Sequence, residues 1–263
     1  MTERIADASD PAIAPYRDVG DHAALERRGL FVAEGRLVVE RLLADARFPV
    51  HSILVTQTAA RAMAPALASA AGARIYVCDP AVLEAITGFN FHRGCLALAH
   101  RPSALSLSAF SSMSPLLALE GVSNPDNVGG LFRVALALGA GGLLLDPASA
   151  DPLYRKAIRT SMGAALRVPF ARAAPWSASL DAVRANASVI ALTPDPGAPS
   201  IDAYRLEPGR RLILLLGAEG PGLADETMRY ADVRLRIPVR PEADSLNVVV
   251  AAGIALHALA AHA

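Results

Sequence analysis

The chain has one lysine, Lys156, among its 25 basic residues, two cysteines, one tryptophan and no net formal charge. Each shortage excludes something. Zero net charge excludes the strongly basic surface of a general nucleic-acid coat, so any phosphate contact must come from local patches. Those patches must be built from arginine, whose planar fork suits phosphate; an arginine-favouring genome accounts for the same bias without any function. Cys78 and Cys95 have neither metal spacing nor a disulfide framework, and fit free thiols in a reducing cytoplasm. His22, His51, His92, His100, His257 and His262 are scattered, so surface or core roles are expected rather than a metal site. The first ten residues are charged and lack the apolar segment of a signal peptide. The apolar run Val248–Ala261 is shorter than the roughly 20 residues that cross a bilayer, which predicts a buried helix and no membrane contact.

What is present is ample apolar material, 53% of the residues, enough for one large or two small cores. The serine-rich, weakly periodic stretch Arg101–Ser114 predicts a boundary. It divides the chain into an N-terminal domain, 1–103, a linker, 104–114, and a C-terminal domain, 115–263. In the first domain helical spacing covers Ala33–Ala46 and Ala59–Ala71, with strands at Ser52–Thr56, Arg74–Cys78 and Gly94–Ala99. Asp79 and Pro80 open a further helix as cap and first-turn residue. This is a small α/β layer domain.

The second domain predicts strands at Pro115–Val122, Gly142–Asp146, Val168–Ala171, Ser188–Leu192, Arg211–Leu216 and Asp232–Ile237. Helices are predicted at Val128–Leu138, Pro152–Ala165, Ser179–Asn186, Asp225–Tyr230 and Ser245–Ala261. Near-continuous apolar strands alternating with helices argue for a parallel sheet covered on both faces. Ligands in such sheets bind at the carboxyl ends of strands.

Three segments sit at those ends. The first, Asn124-Pro-Asp-Asn-Val-Gly-Gly-Leu-Phe-Arg133, reads either as an asparagine cap with glycines packed on the sheet, or as polar groups, Asn127 and Arg133, at a site that something approaches closely. In the second, Leu214–Leu223, Gly217, Gly220 and Gly222 open backbone groups to a ligand, and Glu219 is the polar exception. Its glycines match neither a Walker loop nor the dinucleotide spacing Gly-x-Gly-x-x-Gly. The third runs from Ile237-Pro238 to Ser245-Leu-Asn247, where Ser245 is the expected helix cap. Arg155, Lys156 and Arg159 lie on one predicted helix, as a phosphate-contacting stripe or a solvated face. Arg27, Arg28, Arg36 and Arg93 are further basic candidates.

In this order and spacing the three segments resemble the motifs of the SpoU family of RNA ribose 2′-O-methyltransferases, in the trefoil-knotted SPOUT superfamily. The resemblance covers about Leu116–His262 closely. More loosely, Phe31-Val-Ala-Glu-Gly-Arg36 and His92-Arg-Gly-Cys-Leu-Ala97 resemble the ribosomal-protein-like substrate-binding domain often fused to it. It implies S-adenosylmethionine as cofactor, structured RNA of ribosomal or transfer type as substrate, and a homodimer formed through the last helix and the first-motif helix. It implies a catalytic pocket of Asn127, Arg133, Glu219, Ser245 and Asn247. Leu216, Gly217, Gly220, Ile237, Pro238 and Leu246 would cradle the cofactor, and Arg36, Arg155, Lys156 and Arg159 would meet RNA. Relatives commonly have glycine where Pro241 stands. Two other readings are a non-catalytic RNA-binding or assembly factor of the same fold, and another small-molecule enzyme on a Rossmann-like sheet.

Overall fold

A computed structural model of the chain describes residues 2–70, 72–87, 94–240, 242–243 and 245–260. His92, Arg93, Pro241 and His262 lie outside the described residues. The chain divides into two compact units, one of residues 1–103 with 153–166, the other of 104–152 with 167–263.

The first unit holds strands β1 (Thr2–Ile5), β2 (Leu30–Glu34), β3 (Val50–Thr56), β4 (Arg74–Cys78) and β5 (Cys95–His100), in the order β1-β4-β3-β5-β2. β1, β4 and β3 run parallel, and β5 is antiparallel to both β3 and β2. Its helices are α1 (His22–Arg27), α2 (Arg36–Leu43), α3 (Gln57–Ala62), α4 (Ala64–Ala68) and α5 (Pro80–Thr87). The helix expected over Ala33–Ala46 is shorter, because Leu30–Glu34 is a fully buried strand. A short apolar run has no period that separates strand from helix. Gly35, at φ 91, makes the break between them. The helix expected over Ala59–Ala71 is split at Met63, with Pro65 in the first turn of the second piece. Cys78 and Cys95 are free and buried, and burial pushes their thiols up to about 11 and about 12, so both stay protonated.

The segment 153–166, expected within the C-terminal domain, belongs to this first unit. The segment forms a short helix, Arg155–Thr160, rather than one reaching Ala165. It stops because Met162 and Gly163 both take left-handed backbone, at φ 52 and φ 81. It is tied to the unit by Arg155, whose Nη1 donates to Glu34 Oε2 at 3.3 Å, and by Arg47, which donates to the Leu166 carbonyl at 2.5 Å.

The second unit is a six-stranded, wholly parallel sheet. Its strands are β6 (Leu116–Leu119), β7 (Gly142–Leu145), β8 (Phe170–Arg172), β9 (Ala187–Leu192), β10 (Arg211–Leu216) and β11 (Val233–Leu235), in the order β11-β9-β10-β6-β7-β8. Its helices are α6 (Pro125–Ala137), α8 (Trp176–Val183), α9 (Asp225–Met228) and α10 (Val248–Ala260), and the Arg155–Thr160 helix of the first unit is α7. β10 lies inside the sheet, and its apolar residues Leu212–Leu216 are buried on both faces. The 104–114 stretch, expected as a linker, is part of this unit: Phe110 is fully buried in its core. Strand ends are level, with Leu216 beside Leu119 and Leu119 beside Leu145. The loops that follow therefore leave from one edge.

Helix α10 is apolar nearly all round and packs against α6. Gly130 makes that approach possible, since a Cβ there would sit 2.7 Å and 2.9 Å from the two methyls of Val249. Valine is branched at Cβ and cannot swing aside. Gly130→Ala should therefore cost about 1–3 kcal/mol in urea unfolding, and Val249→Ala in the same chain should recover part of it. Strictly additive costs in the double variant would contradict this packing.

Candidate active site

Helix α6 starts earlier than its apolar pattern implied. Pro125 occupies its first turn, and Asn124 is the cap, its side chain accepting from the Asp126 N–H at 2.9 Å. Asn127 is thereby released from capping. It is 7% exposed, on the inner side of the helix's first turn.

The last helix is capped by Asn247, where Ser245 was expected. Asn247 Oδ1 accepts from the Val249 N–H at 2.9 Å, and its carbonyl accepts from Ala251 N–H at 2.9 Å. Ser245 lies two residues further out, exposed, on the wall of the adjacent cavity. The amide of Asn247 then has both hydrogens to give. Its Nδ2 donates to Asn127 Oδ1 at 3.0 Å and to Glu219 Oε1 at 2.9 Å. One side chain thus joins all three sequence segments, which are 120 and 28 residues away from it.

The glycine loop behind Glu219 is forced to be tight. Ala218 and Gly222 exchange backbone hydrogen bonds of 3.2 Å and 3.1 Å, closing the turn on itself. A Cβ on Gly217 would lie 2.3 Å from the Gly222 carbonyl carbon. Gly220 and Gly222 have φ of 88° and 72°, which side-chain-bearing residues rarely adopt.

A cavity of about 430 Å³ opens beside this junction, at the carboxyl ends of β9, β10 and β11. Of the expected cofactor residues, Leu216, Gly217, Gly220, Ile237 and Leu246 line it, and Pro238 does not. Glu219, Ser245 and Asn247 line it too. Thr193 and Pro194, at the end of β9, complete a wall that sequence reasoning missed. Only the strand order, which sets β9 beside β10, reveals them. Glu219 is the only charged residue among the described residues that line the cavity.

Polar groups just past the strand ends fix the loops. Glu120, just past β6, accepts from the Ala224 N–H at 2.9 Å and from the Thr227 hydroxyl at 2.7 Å. Thr227 in turn accepts from the Trp176 indole N–H at 3.2 Å. Asp146 Oδ1 accepts from the N–H groups of Gly121 and Ser149, at 2.9 Å and 2.8 Å. Neither carboxylate was singled out from sequence. Both follow apolar strands, which was their one available signal.

Arg133 is the predicted catalytic residue that the structure leaves apart from the cluster. It is exposed and has no side-chain partner among the described residues. Six residues beyond Asn127, it is turned roughly 120° around the helix from it. Arg155, Lys156 and Arg159 lie in the first unit with Arg36. Arg155 faces inward to Glu34, so the three-residue stripe is not a uniform solvated face.

Comparison with known proteins gives a consistent result. The sequence model of the SpoU rRNA Methylase family matches residues 114–257. An uncharacterized tRNA/rRNA methyltransferase of Mycobacterium bovis is 36% identical over 263 residues, covering 96% of this chain and 90% of that protein. The 23S rRNA (guanosine-2′-O-)-methyltransferase RlmB of a Burkholderia species is 33% identical over 196 residues, 72% of this chain and 78% of its own. The crystal structure of an AdoMet-bound rRNA methyltransferase from Sinorhizobium meliloti superposes with a TM-score of 0.84 at 25% identity, covering 98% of this chain and 97% of that one.

The Asn247 junction should be measurable in stability. Asn247→Ala removes a helix cap and two side-chain hydrogen bonds, and should lower the unfolding free energy by about 1–2 kcal/mol. Asn247→Asp keeps the cap but sets a carboxylate against Glu219, and should recover none of the loss from the junction. A chain as stable with alanine as with asparagine would show that the junction does not hold the loops.

Proposed function

Because the chain belongs to the SpoU rRNA methylase family, and is an RNA methyltransferase, we propose that it methylates a ribose 2′-hydroxyl with S-adenosylmethionine as donor. The observation that carries this reading is the Asn127–Asn247–Glu219 junction beside the glycine-walled cavity.

The cavity suits that cofactor on its own terms. Its size falls within the roughly 300–1,000 Å³ of small-molecule sites. Leu192, Leu216, Ile237 and Leu246 offer apolar walls for an adenine ring, and the turn at 217–222 offers backbone groups to its edge. Glu219, on the cavity wall, is of the sign that favours a sulfonium. When bound, the cofactor supplies an electrophilic methyl group. The chain's own residues do the rest. The Asn127 amide, held in place by Asn247, orients a hydroxyl beside the cavity, and this positioning is worth several kcal/mol of barrier. Ser245, on the cavity wall, is a further hydroxyl for that task. Arg133 offers a planar guanidinium, so its part is to hold a phosphate and to stabilise negative charge growing on the ribose oxygen.

Three features extend the reading. Val250 and Ile254, one turn apart on α10, are 50% and 39% exposed. An apolar pair of this kind supports a two-fold dimer through α10 and α6, which would let Arg133 serve the partner's site. After β11, Arg236 exchanges backbone bonds with Pro199 and Ile201 of the β9–β10 crossover, and α10 packs on that crossover's short helix Ile201–Ala203. A C-terminal segment drawn under a crossover in this way supports the trefoil knot. Two protonated thiols and an RNA substrate support a cytoplasmic setting; no described helix is long and apolar enough to cross a membrane. Ribosomal or transfer RNA is the substrate class.

Calorimetry tests the site directly. The chain should bind S-adenosylmethionine; absence of binding would favour a non-catalytic RNA-binding factor. Arg133→Lys should bind the cofactor as the natural chain does and lose at least about tenfold in transfer rate, the scale of one charge-stabilising donor. Full activity would remove Arg133 from the chemistry. In light scattering the chain should have the mass of a dimer, and Val250→Arg with Ile254→Arg should yield a folded monomer without transfer activity. A monomeric natural chain would contradict the shared-site arrangement.

A further inference from the structure

A larger cavity, of about 810 Å³, lies wholly within the first unit. Its lining comes from the end of β2, the start of α2, the end of β3 and the turn that closes α7. Four of its residues set its chemistry. Arg36 and Arg159 bring two guanidinium groups from positions more than a hundred residues apart, and neither is ion-paired among the described residues. Leu37 and Met162 are 44% and 38% exposed, two of the six large apolar side chains left open to solvent among the described residues. A cavity that is rimmed by both exposed apolar side chains and unpaired arginines differs from an ordinary solvated crevice.

The rim is also built at a conformational cost. Met162 is one of only two non-glycine residues with positive φ among the described residues. It closes α7 in the left-handed position where glycine is the common choice: its N–H reaches the Arg159 carbonyl at 3.0 Å, and the Gly163 N–H reaches that of Ile158 at 2.9 Å. A methionine held there presents a soft, polarisable side chain at the cavity mouth. The buried Glu34 is neutralised by Arg155 at 3.3 Å. That pairing leaves Arg36 and Arg159 to dominate the charge, with Glu40 as the remaining acid.

We propose that this cavity takes one unpaired nucleotide of the RNA substrate. Its phosphates lie on Arg36 and Arg159, its base lies against Leu37 and Met162, and Glu40 accepts from a base amino group. The ligand class rests on the RNA-methyltransferase reading; the site is separate from the cofactor cavity.

The test uses the full chain and a short fluorescein-labelled single-stranded RNA of mixed sequence, with the matching duplex as comparison. Affinity is read by anisotropy across a salt series, and S-adenosylmethionine binding by calorimetry on the same samples. Arg36→Ala with Arg159→Ala should weaken single-strand binding and flatten the salt slope by about 1.4, two phosphate contacts at roughly 0.7 each. Met162→Gly should weaken it about tenfold, the scale of one lost stacking platform, with the slope unchanged. Its thermal midpoint should be equal or higher, since glycine relieves the left-handed backbone. Both variants should bind the cofactor normally. Single-strand affinity unchanged by Met162→Gly, or duplex bound as well and affected as much, would overturn the proposal. Retained cofactor binding in that case leaves the methyl-transfer reading standing.

Discussion

The structure depends on one amide having two hydrogens. Asn247 caps α10 with its oxygen and spends both N–H groups on Asn127 and Glu219. No other residue type of that size offers an acceptor and two donors in one plane. Serine would cap the helix as well, but could not tie two loops together. Aspartate would cap it better in isolation, but would repel Glu219. The choice of asparagine therefore joins the start of one helix, the glycine turn after the central strand, and the first turn of another helix. Those are the three loops that must come together before any ligand can be held between them.

The sheet makes that meeting possible. Because its strands are all parallel and end level, every loop after a strand leaves from one edge. Glu120 and Asp146 then fix the loops with charge-assisted bonds to backbone N–H groups. The cavity and the polar junction are consequences of the same edge. The glycine turn needs its three glycines for distinct reasons: Gly217 for want of space, Gly220 and Gly222 for backbone angle. A pattern of separate requirements met at fixed spacing is why a short segment could be informative on its own.

Much of this was legible in the sequence. The apolar strands of the second unit and the α/β alternation are local signals, and Asn127 and Glu219 stand out as polar residues in glycine-bearing segments; Asn247 comes only from the resemblance. The errors have local causes too. Leu30–Glu34 has no period to separate strand from helix, so the end of β2, Ala33 and Glu34, reads as the start of a helix. Asn124 and Asn247, not Asn127 and Ser245, do the capping, because a cap is decided by backbone angles at single residues. Thr193 and Pro194 depend on strand order, and the packing of 153–166 into the first unit depends on tertiary contacts such as Arg155 with Glu34. Neither leaves a trace in spacing. The resemblance sets Arg133 with the cluster, while the helix turns it outward, because a resemblance carries no helix phase.

Delivery of the methyl group to a ribose oxygen is the central claim. RNA incubated with the chain and methyl-labelled S-adenosylmethionine, then digested to nucleosides, should yield label in a single 2′-O-methylnucleoside, and none when Asn247 is replaced by alanine. Label on a base, or equal labelling by the alanine variant, would contradict it.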